Sequence, residues 1–306
     1  MNWMHRFDAW WPLAWAVAVI AGCEAPPEVP CGTQCADLYT RPDPAPTMAV
    51  LFAPRTYSAP WVTSGITLDG RLDEGSWKAA PWTADFLDIE GPARPAPWHR
   101  TRVKMMWDRS NLYVAAELEE RDLWATLTHH DEIVYRDNDF EIFVDPDGDT
   151  REYYEIEVNA IGTIFDLYLP VPYRAGAKAN HDWTARGMRV AIHCDGTIND
   201  SRDIDRAWQL EIAIPWSVFT PMPPALGEST HQPRVGAPRA GDSWHINFSR
   251  VQWMLEKQGD SYAKVSGRPE ENWTWTPQWM VDMHVPQWWG VVTFVAPRPD
   301  REESSK

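Results

Sequence analysis

The chain has 306 residues, and its 44 acidic and 28 basic side chains give it a formal net charge of −16 at pH 7. Such a negative charge argues against nucleic acid or an anionic membrane surface as a partner, and it is compatible with neutral glycans and with calcium. Tryptophan is in excess, with twenty residues. We expect most of these rings to pack in the core and some to stack on the C–H faces of sugar rings.

The first 22 residues resemble a bacterial lipoprotein signal. A short start with Arg6 precedes an apolar run at 10–21, which is too short for a membrane span, and residues 20–22 occupy the position of a lipobox before Cys23. The resemblance implies an exported protein that is lipidated at Cys23 and attached to the membrane through that anchor only. Glu24, which follows the cysteine, favours the outer membrane over the inner. An ordinary cleaved signal peptide is the alternative.

Both ends of the mature chain predict segments outside the folded domain. Residues 23–60 hold eight prolines and little apolar periodicity, which is typical of a tether. Residues 297–306 form a charged tail that we expect to be disordered. The remaining residues, 61–296, fit the size of a single domain.

The cysteines agree with export. Cys31 and Cys35 lie close together, and an oxidising compartment favours a disulfide between them over a metal site. Cys194 lies within an apolar run, which predicts a buried thiol.

Residues 61–296 consist of short β-rich runs separated by turns. The runs 102–107 and 112–118 predict one hairpin, and the runs 140–144 and 153–158 predict a second. The other predicted strands are 163–169, 188–193, 207–214, 243–248 and 289–295. About ten short strands without a long amphipathic helix predict an all-β fold, a single antiparallel β-sandwich. The long Pro- and Gly-rich loop 220–242 predicts a lid or an insertion.

One strand carries a row of polar side chains. Alternation along 153–159 places Tyr153, Glu155, Glu157 and Asn159 on the same face. Such a row is either a solvated outer face or the floor of a polar site, and the row by itself favours the solvated face.

Several segments resemble, in order, the family 9 carbohydrate-binding modules and their stand-alone bacterial relatives. The segments are Asp69-Gly-x-x-Asp73-x-x-x-Trp77, 103–119, 137–145 with Phe140-Glu-Ile-Phe143, Pro215-Trp216, 244–250 and 272–290. Together they span nearly all of residues 64–295. The resemblance implies a jelly-roll, DOMON-like β-sandwich that binds poly- or oligosaccharide without catalysis and assists carbohydrate catabolism.

The resemblance also implies the binding residues. In the family's characterised modules two aromatic rings hold a terminal sugar between them, and these correspond to Tyr135, where the well-studied modules have Trp, and to Trp275. The implied strand carboxylate is Glu141. The polar residues that complete the predicted site are Arg136, Asn138, Glu157, Asn159 and Asn272. Glu157 replaces an Arg of those modules, and Arg136 and Asn138 are candidates to take over its contacts.

Calcium is the second implied ligand, because members of the family bind it structurally. Asp145, Asp147 and Asp149 alternate like the start of a calcium loop, although Gly148 is misplaced for an EF-hand. A tight hairpin is the alternative explanation for this segment.

Two other functions compete with sugar binding. A glycoside hydrolase needs two carboxylates that face each other, and Glu141 and Glu157 are a candidate pair on neighbouring strands. Some members of the fold family hold haem without a covalent bond, and Met280, Met283 and His284 are the residues that would do so here. The acidic and histidine-rich segment 129–132 predicts a solvated loop rather than a metal site.

Overall fold

The computed structural model describes residues 53–220 and 236–296. The predictions for the signal segment 1–22, lipidation at Cys23, the Cys31–Cys35 disulfide and the tail 297–306 lie outside the described residues, as does most of the loop 220–242. No helix in the described ranges is long and apolar enough to cross a membrane.

The described residues form fourteen strands, one α-helical turn and four 3₁₀ turns. The strands are β1 (Thr56–Pro60), β2 (Leu87–Asp88), β3 (Thr101–Trp107), β4 (Asn111–Glu119), β5 (Asp139–Asp145), β6 (Tyr153–Asn159), β7 (Ile164–Leu169), β8 (Arg189–Asp195), β9 (Ala207–Pro215), β10 (Ser243–Gln252), β11 (Leu255–Gln258), β12 (Ser261–Lys264), β13 (Glu271–Thr274) and β14 (Gly290–Val295). The α-helical turn α1 is Gly75–Ala79, and the 3₁₀ turns are Val134–Arg136, Tyr173–Ala175, Trp216–Phe219 and Pro286–Trp288.

The strands form two main sheets. The larger sheet has the order β1-β14-β10-β5-β6-β7, with β13 paired to β10 and β2 paired to β13, and the smaller sheet has the order β3-β4-β9-β8. All pairs are antiparallel except β1 with β14, which are parallel. The predicted all-β sandwich is therefore confirmed.

The main core lies between the inner faces of the two sheets. Along each strand every second side chain points inward, and in β5 these are Phe140, Ile142 and Val144. They join inward side chains of the smaller sheet such as Val114 and Ile212 in one buried apolar cluster. Most tryptophans of the described residues are buried or half-buried, as expected for core packing.

The domain begins earlier than predicted. Residues 56–60 form β1 at the edge of the larger sheet, so the tether boundary at residue 60 is wrong. Tyr57 is buried and its hydroxyl donates a hydrogen bond to the carbonyl of Pro81. The prolines of this region obscured the strand, because Pro60 is its last residue and an edge strand tolerates a missing N–H.

Cys194 is half-buried on β8 rather than fully buried. Burial and the nearby Asp205 raise the pKa of its thiol to about 11. The thiolate, which is the reactive form, is therefore disfavoured.

A second apolar cluster covers part of the outer face of the larger sheet. It joins Phe143 and Tyr153 of that face to Met283 and Trp289 from the segment before β14. The cluster shields this outer face from water on one side. Beside it lies the row of polar side chains that carries the candidate site.

Candidate functional site

Strand pairing brings four of the predicted site residues onto one face. Glu157 of β6 pairs with Glu141 of β5, which in turn pairs with Ser249 of β10. In the next row Asn159 pairs with Asp139 on β5.

The second row continues across β10 and β13. The backbone N–H of Val251 donates to the carboxylate of Asp139, and Val251 pairs with Asn272. The sequence alternation therefore holds across four strands, and Glu141, Glu157, Asn159 and Asn272 share the outer face of the larger sheet.

This polar face is not solvated, which corrects the expectation from the β6 row alone. Glu141 and Glu155 are each only 6% exposed, and Glu157 and Asn159 are buried completely or nearly so. The second apolar cluster and the turn Val134–Arg136 lie against this face, with Val134 inside the cluster. Alternation along β6 showed which side chains share a face, and it contained no information about what covers that face.

Four carboxyl groups are buried close together on this face, and we call them the carboxyl floor: those of Asp139, Glu141, Glu155 and Glu157. Asp139, Glu141 and Glu157 each offer a carboxylate oxygen, and these oxygens lie within 4.8 Å of one another. Burial raises the pKa of Glu141 to about 7. Burial, followed by the neighbouring carboxylates, raises the pKa values of Asp139 and Glu155 well above the ordinary range. One oxygen each of Asp139 and Glu155 has no hydrogen-bond partner.

Tyr135 stands beside this floor with its ring exposed. Its side chain is 41% exposed, while its backbone is fixed on both sides. The N–H of Tyr135 donates to Glu157 Oε2 over 2.9 Å, and its carbonyl accepts a hydrogen bond from the indole Nε1 of Trp253, also over 2.9 Å. The backbone of the predicted first ring is thus held on both sides, while its side chain is partly exposed.

Tyr173 is a second exposed ring that the sequence analysis missed. It is 42% exposed and packs nearly perpendicular to His284, with ring centroids 4.5 Å apart. Burial of its hydroxyl, followed by interactions with Glu155 and Glu157 and with Tyr135, raises the pKa of Tyr173 to about 12. The prolines at 170 and 172 were the available signal, because they predict an exposed turn.

Trp275 does not serve as an exposed ring, and its assignment as the second stacking residue is wrong. The side chain is 1% exposed and belongs to the main core, where its ring contacts Phe248 at a centroid distance of 5.9 Å. The same alternation that directs Asn272 outward directs Trp273 inward. A Cβ atom added to Gly290 would approach the ring of Trp275 to 2.2 Å, so the glycine makes room for the indole.

Asn138 and Asn159 hold the framework of the site together. Asn138 is buried, donates to Glu120 and accepts from the backbone N–H of Trp253. Asn159 donates to the carboxylate of Asp137 and to the carbonyl of Leu127. With these contacts in place, the two amides position the turn around Tyr135 and are not turned towards a ligand.

The remaining two predicted residues are nearer the surface. Arg136 is exposed and follows Tyr135 in the 3₁₀ turn, within electrostatic reach of Lys264. Asn272 is half-buried, and its carbonyl accepts a hydrogen bond from the N–H of Ile89.

A profile described as "Carbohydrate family 9 binding domain-like" matches residues 68–226, slightly more than half of the chain. The chain belongs to this family. The family is one of non-catalytic binding domains. No curated protein matches the chain.

Solved structures share the family 9 fold with this chain. A protein from Bacteroides uniformis that is proposed to bind carbohydrate is 18% identical, with a TM-score of 0.54 over 79% of this chain and 100% of that chain. A family 9 module from Caldicellulosiruptor kristjanssonii in complex with glucose is 15% identical, with a TM-score of 0.50 over 81% of this chain and 100% of that chain. A family 9 module from the same organism in complex with cellotriose is 14% identical, with a TM-score of 0.49 over 82% of this chain and 99% of that chain. At these identities the likeness concerns the fold alone.

The three aspartates between β5 and β6 converge in this family 9 domain. Asp145, Asp147 and Asp149 each offer an oxygen within 4.8 Å of the others, and oxygen atoms are the ligands that calcium prefers. Asp145 is buried, and its two oxygens accept hydrogen bonds from the N–H groups of Gly148 and Thr150. Burial raises the pKa of Asp145 to about 7. The donor set therefore fits calcium, with Asp147 and Asp149 nearer the surface and Asp145 as the buried residue that shapes the loop.

The residues of the haem alternative lie on the outer face as well. Met283 packs in the second apolar cluster, and His284 Nδ1 lies 3.1 Å from the hydroxyl of Tyr153. His284 Nε2 lies 3.8 Å from the carboxylate of Glu155, and burial lowers the pKa of His284 to about 4. Both ring nitrogens face protein groups.

The segment 129–132 is an exposed turn, as predicted. Glu132 accepts hydrogen bonds from the N–H groups of Thr128 and His129, so its carboxylate closes the turn on itself. His130 and Asp131 of this turn and Asp166 of β7 each offer a possible metal-ligand atom, and these atoms lie within 4.8 Å of one another.

Proposed function

We propose that this family 9 domain captures the end of a poly- or oligosaccharide chain at the outer face of its larger sheet, between the exposed rings of Tyr135 and Tyr173. The observation that carries the proposal is the exposed side chain of Tyr135, on a backbone held on both sides, beside buried carboxyl groups. A ring with so few rotatable bonds offers a large apolar face to a sugar at a small cost in conformational entropy.

The carboxyl floor supports contacts to sugar hydroxyls. A group with a pKa of about 7, as for Glu141, is present in both protonation states near neutral pH. The protonated form donates a hydrogen bond and the ionised form accepts several, which suits hydroxyl groups that do both. Glu141 and Glu155 are the members of the floor with some exposure, so they are the carboxyls that a ligand reaches first.

Glycoside hydrolysis is the second candidate function, and it rests on the pair Glu141 and Glu157. Their direct pairing across neighbouring strands brings one carboxylate oxygen of each residue within 4.8 Å of the other. Retaining glycosidases keep their two carboxyl groups about 5 to 5.5 Å apart and inverting glycosidases about 6.5 to 9.5 Å apart, so this pair is closer than either arrangement. The geometry therefore favours binding over hydrolysis.

The proposed location is the cell envelope. The signal segment and Cys23 support export and lipid anchoring, and Glu24 favours the outer membrane. An anchor of this kind would keep a captured glycan close to the cell and so assist its catabolism. Metabolic labelling with an alkyne-tagged fatty acid tests the anchor, because Cys23→Ser abolishes the label and Cys31→Ser retains it. Labelling that survives Cys23→Ser would contradict the proposed anchor, and membrane fractionation would then decide the location.

Calcium is proposed as a structural ligand of the β5–β6 loop, held by Asp147 and Asp149 with Asp145. It would neutralise three carboxylates that otherwise repel one another within a short loop. Its role would be to fix the loop that joins β5 to β6, and therefore the register of the two strands that carry Glu141 and Glu157.

A glycan array probed with the full-length protein, with calcium present, tests sugar binding. We expect retention by the wild type, with strong loss in Tyr135→Ala and in Tyr173→Ala. Trp82→Ala is the control, because Trp82 is a half-buried ring that lines a different cavity beside Lys104. Unchanged retention in Tyr135→Ala would overturn the assigned site, and release of reducing sugar from a retained glycan would move the assignment to a hydrolase.

A further inference from the structure

A third exposed ring, Trp98, lies in the loop between β2 and β3. Trp98 is 47% exposed, which is the largest exposure of any Phe, Tyr or Trp among residues 53–220 and 236–296. A single exposed ring is ordinary on a protein surface. Its surroundings are what distinguish it.

Trp98 rests on a rigid platform. Its ring is perpendicular to that of the buried Trp273, with centroids 4.8 Å apart and an interplanar angle of 88°. Beneath Trp273 the guanidinium of Arg250 lies 5.3 Å from the ring centroid. Arg250 is 0% exposed and donates hydrogen bonds to the side chains of Glu120, Gln252 and Thr101 and to the carbonyl of Glu119. The base of Trp98 is therefore fixed before any ligand arrives.

Two adjoining cavities open beside this ring. One has a volume of about 260 Å³ and is lined by Trp98, His99, Asp122, Gln252 and Trp253 among others. The other has a volume of about 410 Å³, shares Trp98, His99 and Asp122, and adds Arg121, Asp203 and Lys257. Sites for small molecules usually occupy about 300 to 1,000 Å³, so the pair is large enough for a short saccharide.

The lining groups suit a neutral ligand rich in hydroxyls. Asp122 and Asp203 oppose Arg121 and Lys257 in the larger cavity, so the two signs of charge offset each other and neither a cation nor an anion is favoured. Burial is the largest influence on His99, and it lowers the pKa of the imidazole below its ordinary value. His99 Nε2 faces the carboxylate of Glu120 over 3.5 Å. A neutral imidazole donates from one ring nitrogen and accepts at the other, so the second nitrogen of His99 suits a sugar hydroxyl.

Trp253 connects this cleft to the turn that carries Tyr135. Trp253 lines the smaller cavity, and its indole N–H donates to the carbonyl of Tyr135 over 2.9 Å. The backbone N–H of Trp253 donates to Asn138. Trp253 is therefore the wall shared by the Trp98 cleft and the turn that presents Tyr135.

From this arrangement we infer that the cleft under Trp98 is a second saccharide subsite, which binds a further residue of the neutral oligosaccharide whose end is held at Tyr135. This inference rests on the proposed sugar-binding function and extends it from one sugar residue to a chain. Trp98 provides the stacking face, and His99 and Asp122 provide hydrogen bonds. Trp253 links the two subsites.

The test is an array of neutral gluco-, manno-, galacto- and xylo-oligosaccharides with one to six residues, probed with the full-length protein. In the wild type we expect retention to rise with chain length. In Trp98→Ala we expect retention of the longer chains to fall by between about twofold and tenfold, the range of one aromatic stacking contact, while single sugars are unaffected. Trp98→Phe should keep most of the length dependence, and Trp82→Ala should leave it unchanged.

The outcomes separate the two proposals. A wild-type protein that retains no glycan overturns sugar binding and the second subsite together. Retention that has the same length dependence in Trp98→Ala as in the wild type overturns the subsite alone and leaves the Tyr135 site standing. Thermal denaturation of each variant shows whether it is folded. If Trp98→Ala does not fold, the length dependence of Trp98→Phe is compared with that of the wild type instead.

Discussion

The backbone N–H of Tyr135 donates a hydrogen bond of 2.9 Å to the buried carboxylate of Glu157. An exposed ring is thereby tied to the floor of the candidate site by its own main chain. The bond gives Glu157 a structural role. This role belongs to a residue that replaces the Arg of the family's characterised modules. It also means that the orientation of Tyr135 depends on a residue that lies 22 positions away in the sequence.

Removing this acceptor should loosen the turn that carries Tyr135. In Glu157→Ala the N–H of Tyr135 loses its partner, and a partly buried donor left unsatisfied costs about 1 to 3 kcal/mol. We expect faster hydrogen exchange at the Tyr135 amide and weaker glycan binding. Glu157→Gln, which retains a carbonyl acceptor, is the matched control. Equal exchange rates in the alanine variant and the wild type would contradict the role of this bond.

The raised pKa of Glu141 predicts a pH dependence of stability. Its carboxyl has a pKa of about 7 in the folded protein against an ordinary value of 4.5, so the folded state binds the proton more tightly. The contribution of this proton to the free energy of unfolding is complete below pH 4.5. It is lost as the pH rises towards 7, and the total loss is about 3 kcal/mol.

Glu141→Gln removes this titration, so its stability relative to the wild type should improve between pH 5 and pH 8. Urea denaturation at the two pH values measures the difference. Glu256→Gln, at an exposed position of β11, should show no such change. A difference between Glu141→Gln and the wild type that stays constant with pH would refute the assignment of a raised pKa.

Trp275 should matter for stability rather than for direct sugar contact. Its side chain is 1% exposed in the main core, and truncation of a buried Trp to Ala costs about 3 to 5 kcal/mol. Chemical denaturation should show this loss in Trp275→Ala and a change within about 0.5 kcal/mol in Tyr135→Ala. Trp275→Phe, which keeps an apolar ring, should remain folded and bind glycans normally. Loss of binding in a stable Trp275→Phe would return Trp275 to the site.

Gly290 should tolerate no side chain. An added Cβ would lie 2.2 Å from the ring of Trp275, so Gly290→Ala forces the indole or the strand β14 to move. Overpacking of this kind costs about 1 to 3 kcal/mol. Trp275→Phe combined with Gly290→Ala tests the cause, because a smaller ring should recover part of the loss. Additive losses in the double variant would point to another contact.

Calcium should stabilise the protein through the β5–β6 loop. A ligand that binds only the folded state raises the free energy of unfolding by about 2.7 kcal/mol at a concentration one hundred times its Kd. The midpoint of thermal unfolding should therefore rise when calcium replaces a chelator. Asp147→Asn and Asp149→Asn should reduce this rise, and Asp195→Asn on β8 should not. If both loop variants respond as the wild type does, calcium does not bind at this loop.

The sequence by itself determined the all-β fold and the residues that share its faces. Strand alternation is local, because successive side chains must point to opposite sides of a pleated strand. Turn residues are a local signal as well, and they predicted where most strands end. These two local rules are enough to align Glu157 with Asn159 and to predict that β5 and β6 form a hairpin. The ordered family motifs added the position of Tyr135.

Only the tertiary structure decided which aromatic rings are open and which polar rows are covered. Trp275 is buried because the alternation of β13 directs it between the sheets, where the absent side chain of Gly290 leaves room. Tyr173 reaches the site from a loop whose path the local sequence does not encode. The alternation along β6 predicts a solvated outer face, yet the segment before β14, more than a hundred residues away in the sequence, covers part of it. Burial depends on contacts between distant parts of the chain, and no local pattern contains those contacts.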